Sequence, residues 1–477
     1  MRRPPPKLRL RFKARAARPV TMPNPRAPAR HRLIAAGLVL MAAVPGARAQ
    51  VQTPPQSQPS QAQPQARDPA ELQACIVTLR AELASHPQVT RDTFDTYTRG
   101  VQDLRGPIDN ATRTQPEFRL AIWDYVARLA DDQRAADGRQ ILQRESAALA
   151  AAERKHGVDP STAVAVFGVE TDYGRVPGKY PVVDATLSRA CLNLDSKERK
   201  AHFFSALWLL QTGAVKQEEF RGSWAGAFGM TQFMPGTFVR YMDDGDGSGR
   251  ADIVNSVPDA LATTARYLAG LGWTAGVPWG AEVQAPRGLV TQWNALERDH
   301  GCFTGSDVAR CKTIEQWTAL GVAPVGRAGA RLAWPAGTRA ALFAPSGPDG
   351  PAWLVTRNFH ALWGYNRADA YALAIGLLSD ALRGDPPMQT PWPTDDAALS
   401  RRQFRELQAM LVARGFVNVV SDGHDGPNTR EAVRTEERQR GLSETGRAGQ
   451  RLFRLLTADA ASAPVATPAA SQAASSP

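Results

Sequence analysis

The stretch Phe167-Gly168-Val169-Glu170-Thr171-Asp172-Tyr173-Gly174 closes a run that opens with Asp159-Pro160, and its reading decides the fold. Asp159 followed by Pro160 gives an N-cap and a residue preset for the first helical turn, and Gly174 predicts a stop after Tyr173. Between them Ala163, Val166, Phe167 and Glu170 fall at i, i+3, i+4 and i+7, on one helical face. The intervening Ala165, Gly168 and Val169 are apolar too, so the helix is expected to be buried nearly all round, with a carboxyl group at its inner end. Such a group is either a satisfied structural acid or a general acid kept protonated near neutrality by desolvation. Asp172, two residues on, points elsewhere and reads as a helix-end or surface partner rather than half of a carboxylate pair. Residues 201–210, 257–271 and 371–382 carry further apolar helical patterns, and strand-like alternation is scarce over residues 68–383. The expected fold class is mainly α.

The chain of 477 residues is 43% hydrophobic and 22% charged, ordinary globular values that rule out wholesale disorder and a many-span membrane protein. The net charge of +11 invites a nucleic-acid reading, but 12 of the 57 Lys and Arg lie in residues 1–49, which hold no acid. The remaining 45 basic residues face 46 acidic ones, and no nucleic-acid partner is expected. Within the leader, Arg26, Arg30 and Arg32 precede an apolar run from Leu33 to Val44, then Ala47-Arg48-Ala49. This is the pattern of a signal peptide, residues 1–49, with cleavage before Gln50. The run is well short of the ~20 residues that span a bilayer, so the mature chain should keep no transmembrane anchor. Residues 50–67 read as a Gln/Pro-rich disordered linker, residues 384–394 as a Pro-rich linker, residues 395–456 as a small second domain and residues 457–477 as a disordered tail.

Export into an oxidising compartment favours pairing of Cys75, Cys191, Cys302 and Cys311 over buried free thiols. Cys302 and Cys311 enclose a short loop and suit a local bridge, which leaves Cys75 with Cys191; four cysteines permit three pairings. No CxxC or closely spaced Cys/His group suggests zinc. The segment from Gly222 to Pro235, Gly-Ser-Trp-Ala-Gly-Ala-Phe-Gly-Met-Thr-Gln-Phe-Met-Pro, mixes glycines with aromatics and short polar side chains. It is either a ligand loop offering ring faces to a sugar or a tight turn whose rings pack in the core. GxSxG is absent, so no nucleophile elbow is present.

The strings 167–174 and Ala225-Gly226-Ala227-Phe228-Gly229-Met230-Thr231-Gln232-Phe233-Met234-Pro235, with Gly364-Tyr365-Asn366-Arg367-Ala368-Asp369-Ala370-Tyr371-Ala372-Leu373-Ala374-Ile375, resemble the membrane-bound lytic murein transglycosylase B family. The similarity runs from about Cys75 to Leu382. It implies a lysozyme-like helical catalytic domain over residues 68–383, placed in the periplasm, that cleaves the MurNAc-β-1,4-GlcNAc bond of peptidoglycan without water and leaves a 1,6-anhydro ring. Ordinary glycoside hydrolysis needs two carboxylates, and the residues themselves offer one convincing candidate, Glu170. The resemblance makes Glu170 acid and then base, with Ser223 and Gln232 hydrogen-bonding the sugar and Asn366 and Tyr371 on a facing helix. Tyr371 either steers the carboxyl or packs in the core. A hydrolytic muramidase and a non-catalytic wall-binding scaffold are the rival readings.

Residues 244–255 resemble a calcium loop: Asp244, Asp246 and Ser248 at positions 1, 3 and 5, the Arg250 carbonyl at 7 and Asp252 at 9, but Asn255 where a bidentate Glu would stand. A weak structural calcium and a metal-free Asp/Gly turn fit equally, and no catalytic cofactor is implied. Leu407-Gln408, Leu411, Arg414-Gly415-Phe416, Asp422-Gly423 and Gly426-Pro427-Asn428-Thr429-Arg430 resemble a three-helix peptidoglycan-binding module, with Arg434-Thr435 where the family has a phenylalanine. Such a module would act as a tethered second site on glycan strands.

Overall fold

The structure is a computed structural model, and it describes residues 67–113, 115–294, 301–304, 310–326 and 332–462. The expected signal peptide, nearly all of the first linker and the end of the tail lie outside the described residues. No helix among them is long and apolar enough to cross a membrane.

Two apolar helices form the centre, Pro160–Thr171 and Asp369–Arg383. The first begins as its sequence dictates: Oδ1 of Asp159 accepts from the backbone N–H of Ser161 (2.8 Å) and Thr162 (3.2 Å), with Pro160 in the first turn. Every residue from Ser161 to Gly168 is buried, as is every residue from Ala370 to Gly376 in its partner. Each Leu or Ile so placed contributes about 1.5–3 kcal/mol by leaving water. The helix ends earlier than the sequence suggested, at Thr171, because Asp172 and Tyr173 turn left-handed at φ 53° and 58° before Gly174 is reached. Gly168 permits this, since a Cβ there would lie 2.7 Å from the Tyr173 ring.

A second core lies under the Lys197–Gln211 helix, where Phe203, Phe204 and Leu207 pack with Phe94 and Leu79. Cys75 bridges to Cys191 there, with Cα atoms 5.6 Å apart, tying the first helix, Pro69–Ala81, to Val182–Cys191. The second bridge joins Cys302 and Cys311.

A five-stranded antiparallel sheet was not foreseen. Its order is Lys312–Thr313, Arg339–Phe343, Ala352–Val355, Gly280–Gln284, Ala323–Pro324, with Val283 opposite Ala352 and Phe343 opposite Trp353. The strands run two to five residues and carry many alanines, so neither β-propensity nor alternation marks them. The chain is nonetheless mainly helical.

Three C-terminal helices, Arg401–Ala413, Pro427–Gln439 and Gln450–Ser462, enclose Leu407, Leu411, Val433 and Leu456. The second starts at Pro427 behind Gly426, and the third runs past residue 456 into the segment expected to be tail. The Pro-rich connector lies against the helical body: Gln389 and Thr390 donate backbone N–H groups to the Glu282 carboxylate (2.8 and 2.7 Å), and Trp392 packs on Trp123 and Trp353.

The Cys75–Cys191 bridge closes a loop with a sequence separation of 116, against 9 for Cys302–Cys311. Replacing Cys75 and Cys191 together by serine should therefore cost about 2–4 kcal/mol of unfolding free energy, more than the same change at the short loop. Denaturant unfolding of the two double variants checks this, and equal costs would contradict it.

Candidate active site

Glu170 sits in the last turn of its helix, half-buried, where the Asp369–Arg383 helix crosses it. Tyr371, itself 2% exposed, donates its hydroxyl to Oε1 of Glu170 at 2.5 Å. Burial pushes the Glu170 carboxyl up to about 8; the Tyr371 hydrogen bond favours the carboxylate and opposes the rise, and the charge of Glu117 adds to it. Burial, reinforced by the Glu170 charge, also holds the hydroxyls of Tyr371 and Tyr365 well above their usual range, so both remain donors. With Oε1 occupied by Tyr371, the carboxyl proton belongs on Oε2, free to be given away. Glu117 is the other carboxylate whose charge bears on Glu170, and it lines a different cavity, among Phe118, Trp123 and Trp363.

The cavity beside Glu170 has a volume of about 270 Å³. Its walls are Val169 to Asp172, Arg128, Leu129, Arg134 and Val176 on one side and, on the other, Leu399, Arg401, Phe404 and Gly423 to Asp425 from the first C-terminal helix and the loops flanking it. Asp172 is a helix-end residue, as read, but a buried one rather than a surface partner. Burial pushes its carboxyl up, yet the hydrogen bond from Arg401 and the charges of Arg134, Arg401 and Arg175 outweigh this and hold it below the usual range.

The loop at 222–235 is fastened to the same place. Thr171 donates its hydroxyl to the Met230 carbonyl (2.5 Å), and Tyr365 donates to the Thr231 carbonyl (2.7 Å). Phe228 and Phe233 are buried, so these rings serve the core rather than a ligand. The Ser223 hydroxyl oxygen accepts from the backbone N–H of Ala225 and Ala227, both at 3.2 Å, which leaves its proton to donate. Gln232, at φ 51°, spends its amide N–H groups on the Gly229 and Pro177 carbonyls, leaving its carbonyl oxygen. Asn366 ends the Arg357–Asn366 helix half-buried. Of the sequence candidates Tyr371 is the one hydrogen-bonded to Glu170, and Ser223, Gln232 and Asn366 are not among the residues lining this cavity. The residues that line it from the C-terminal segment were missed, because no local pattern marks a contact such as that of Asp172 with Arg401, 229 positions apart.

The calcium-like loop brings Asp244 and Asp246 together with Asp259, within 4.8 Å, and not with Asp252. Asp252 turns back to accept from the Val254 and Asn255 N–H groups, and Arg250 pairs with its carboxylate (3.0 Å). Asp244 accepts from Gly247, Ser248 and Gly249, and Asp259 from Gly245, Asp246 and Asp252, all backbone donors. A calcium ion needs six to eight oxygens, and here the carboxylates already serve the loop's own amides. The acids that converge are thus Asp244, Asp246 and Asp259 rather than the expected set with Asp252.

Residues 71–380 match the family described as the transglycosylase SLT domain, and residues 400–456 match the putative peptidoglycan binding domain. The chain is 29% identical over 244 residues to membrane-bound lytic murein transglycosylase B of Escherichia coli, an overlap of 49% of this chain and 60% of that protein. It is 35% identical to SltB3 of Pseudomonas aeruginosa, solved in complex with NAG-anhNAM-pentapeptide, over 81% of this chain and 99% of that one, with a TM-score of 0.58. The fold is shared with Escherichia coli Slt35, solved in complex with calcium, at 21% identity over 65% of this chain and 92% of that one, TM-score 0.52.

A carboxyl raised on folding from about 4.5 to about 8 favours the protonated native state. Its penalty is absent below the unfolded value, grows as pH climbs through that window and is complete above about 8. Glu170→Gln should therefore gain stability over the natural chain between pH 5 and pH 9, by about 1–3 kcal/mol once solvent in the cleft is allowed for. Thermal melts across this range check it; parallel curves would contradict the raised carboxyl.

Proposed function

The chain belongs to the transglycosylase SLT domain family, and on that premise we propose that it is a lytic transglycosylase of peptidoglycan, cleaving the MurNAc-β-1,4-GlcNAc bond to leave 1,6-anhydro-MurNAc ends. The observation that carries the reading is Glu170 protonated near neutrality beside a buried phenol donor. Glu170 gives its Oε2 proton to the glycosidic oxygen as the bond to C1 of the muramic residue breaks, so that GlcNAc leaves with its hydroxyl restored. The carboxylate so formed keeps the Tyr371 hydrogen bond, which strengthens as charge develops on the acid. It then takes the proton of the C6 hydroxyl while O6 closes onto C1. The acid is regenerated and no water is consumed. An internal, pre-placed nucleophile replaces the second carboxylate of a hydrolase.

Ser223 and Gln232 are assigned to hold the sugar through the hydroxyl proton and carbonyl oxygen their loop leaves free, with Asn366 on the facing helix end. Tyr371 steers the carboxyl. Residues 68–383 form the catalytic domain, residues 395–456 bind wall and the leader directs the chain to the periplasm. No step requires a metal or cofactor.

One observation favours the hydrolytic rival, the charge of Glu117 felt at Glu170. Its place among the rings of a separate cavity argues against its activating a water at the same bond.

Glu170→Gln should lower turnover of sacculi by about 10²–10⁴-fold while leaving sacculus binding intact, and the natural enzyme should release anhydro-muropeptides by mass spectrometry. Reducing-end products, or an undiminished rate, would overturn the reading. Activity should fall as pH rises through about 8, where Glu170 ionises. Glu117→Gln should keep the anhydro product and move that alkaline limb to lower pH, since Glu117 raises Glu170; a loss of turnover as severe as that of Glu170→Gln would favour the rival.

A further inference from the structure

Immediately beyond Glu170 the backbone leaves the helix through two consecutive left-handed residues, Asp172 and Tyr173. Side chains other than glycine resist this conformation, so contacts from elsewhere must hold it. Tyr173 is held from within the domain, its hydroxyl donating to the Arg134 carbonyl at 2.8 Å and its ring set edge-on to Phe167. The backbone N–H of Asp172 is capped by the Gly168 carbonyl at 3.0 Å, and its side chain is held chiefly from the C-terminal module. Nη1 of Arg401 donates to Oδ1 at 3.0 Å and to Oδ2 at 2.9 Å, with the arginine side chain 8% and the aspartate side chain 11% exposed. Arg134 and Arg175 reach the same carboxylate only at 3.4 and 3.5 Å, and Nε of Arg134 has no partner among the described residues.

Arg401 is itself fixed. It follows Ser400, whose capping box with Gln403 sets the start of the Arg401–Ala413 helix, and its stem lies against Gly423, where a Cβ would come within 2.7 Å of Cγ. Two more ion pairs clamp the module to the same side of the catalytic domain, Arg128 with Asp425 at 2.8 Å and Arg447 with both oxygens of Asp124 at 2.7 and 3.1 Å. The module also supplies the outer wall of the cavity at Glu170.

We propose that Arg401 is a positioning residue for the cleavage reaction: by gripping Asp172 it fixes the helix end that aims Glu170, which makes the wall-binding module a working part of the active site as well as an anchor. The inference rests on Glu170 being the acid. Without Arg401 the Asp172 carboxylate keeps only long contacts in a buried place, and the left-handed turn loses its main support. The last helical turn, left with its local cap bonds and the Tyr173 contacts, then shifts, and Glu170 departs from the geometry set by Tyr371. Proton transfer is sensitive to displacements of about 1 Å, whereas the 222–235 loop, though tied to Thr171, is also held outside that turn, by Tyr365 on the Thr231 carbonyl and by Gln232 on the Gly229 and Pro177 carbonyls.

The test uses the full chain, with Arg401→Met and Arg401→Lys assayed on a short soluble peptidoglycan oligosaccharide that one active site can hold, and on sacculi. Arg401→Met should lower kcat on the short substrate about tenfold or more with KM within about twofold, keep the anhydro product and still bind sacculi; Arg401→Lys should recover part of kcat. A kcat on the short substrate within about twofold of the natural chain, with loss confined to sacculi, would show the module to be an anchor only and overturn the inference. If Arg401→Met fails to give a cooperative thermal melt, Arg401→Lys decides alone: a lowered kcat with a retained melt supports the role, and an unchanged kcat overturns it. Glu170→Gln in the same assay separates the two claims. Should it stay active, the assignment of the acid fails; should it be inactive while Arg401→Met is fully active, only the positioning role fails.

Discussion

One hydrogen bond under desolvation organises this molecule, from the Tyr371 hydroxyl to Oε1 of Glu170 at the crossing of two apolar helices. The two influences on the carboxyl oppose each other. Burial favours the neutral acid, and the phenol favours its anion. A group balanced in this way can release a proton and afterwards carry the charge, as a residue acting first as acid and then as base requires. The apolar Ala, Val and Leu content of both helices is what removes water from the crossing, so the core composition and the chemistry are one arrangement.

Backbone strain follows the same map. Four non-glycine residues among those described have positive φ: Asp172, Tyr173, Gln232 and Arg367. Two follow Glu170, one is a proposed sugar ligand and one follows Asn366. Such conformations persist only where surrounding contacts over-determine them. Here those contacts are the Arg401 and Arg134 grip on Asp172, the Gly229 and Pro177 carbonyls on Gln232, and the stacking of Arg367 over Trp363 at 5.1 Å.

What the sequence made legible was local. Asp159-Pro160 announced a helix, its periodicity announced burial, and a lone acid on that face announced the candidate chemistry. The three small C-terminal helices were implied by the resemblance of Leu407, Leu411 and the later turn residues to a peptidoglycan-binding module. What stayed hidden depended on distant partners. The five strands are short and alanine-rich, so their pairing comes from tertiary context rather than pattern. Asp259 joins Asp244 and Asp246 from beyond the span a calcium loop would cover. The helix ends at Thr171 rather than Tyr173 where Asp172 turns left-handed, its carboxylate gripped by an arginine far along the chain, and the reading of the C-terminal module as a tethered second site gave no hint of this contact because ion pairs leave no local trace.

The account stands most directly on the ionisation of one side chain. Carbon-13 NMR of the glutamate carboxyls, titrated from pH 4 to pH 10 and assigned by comparison with Glu170→Gln, reads it without any substrate. The account predicts a single resonance with a midpoint near 8, absent from the variant. A Glu170 midpoint in the ordinary carboxylate range near 4.5 would mean that the acid is ionised at neutrality and that the proposed proton relay does not start from this residue.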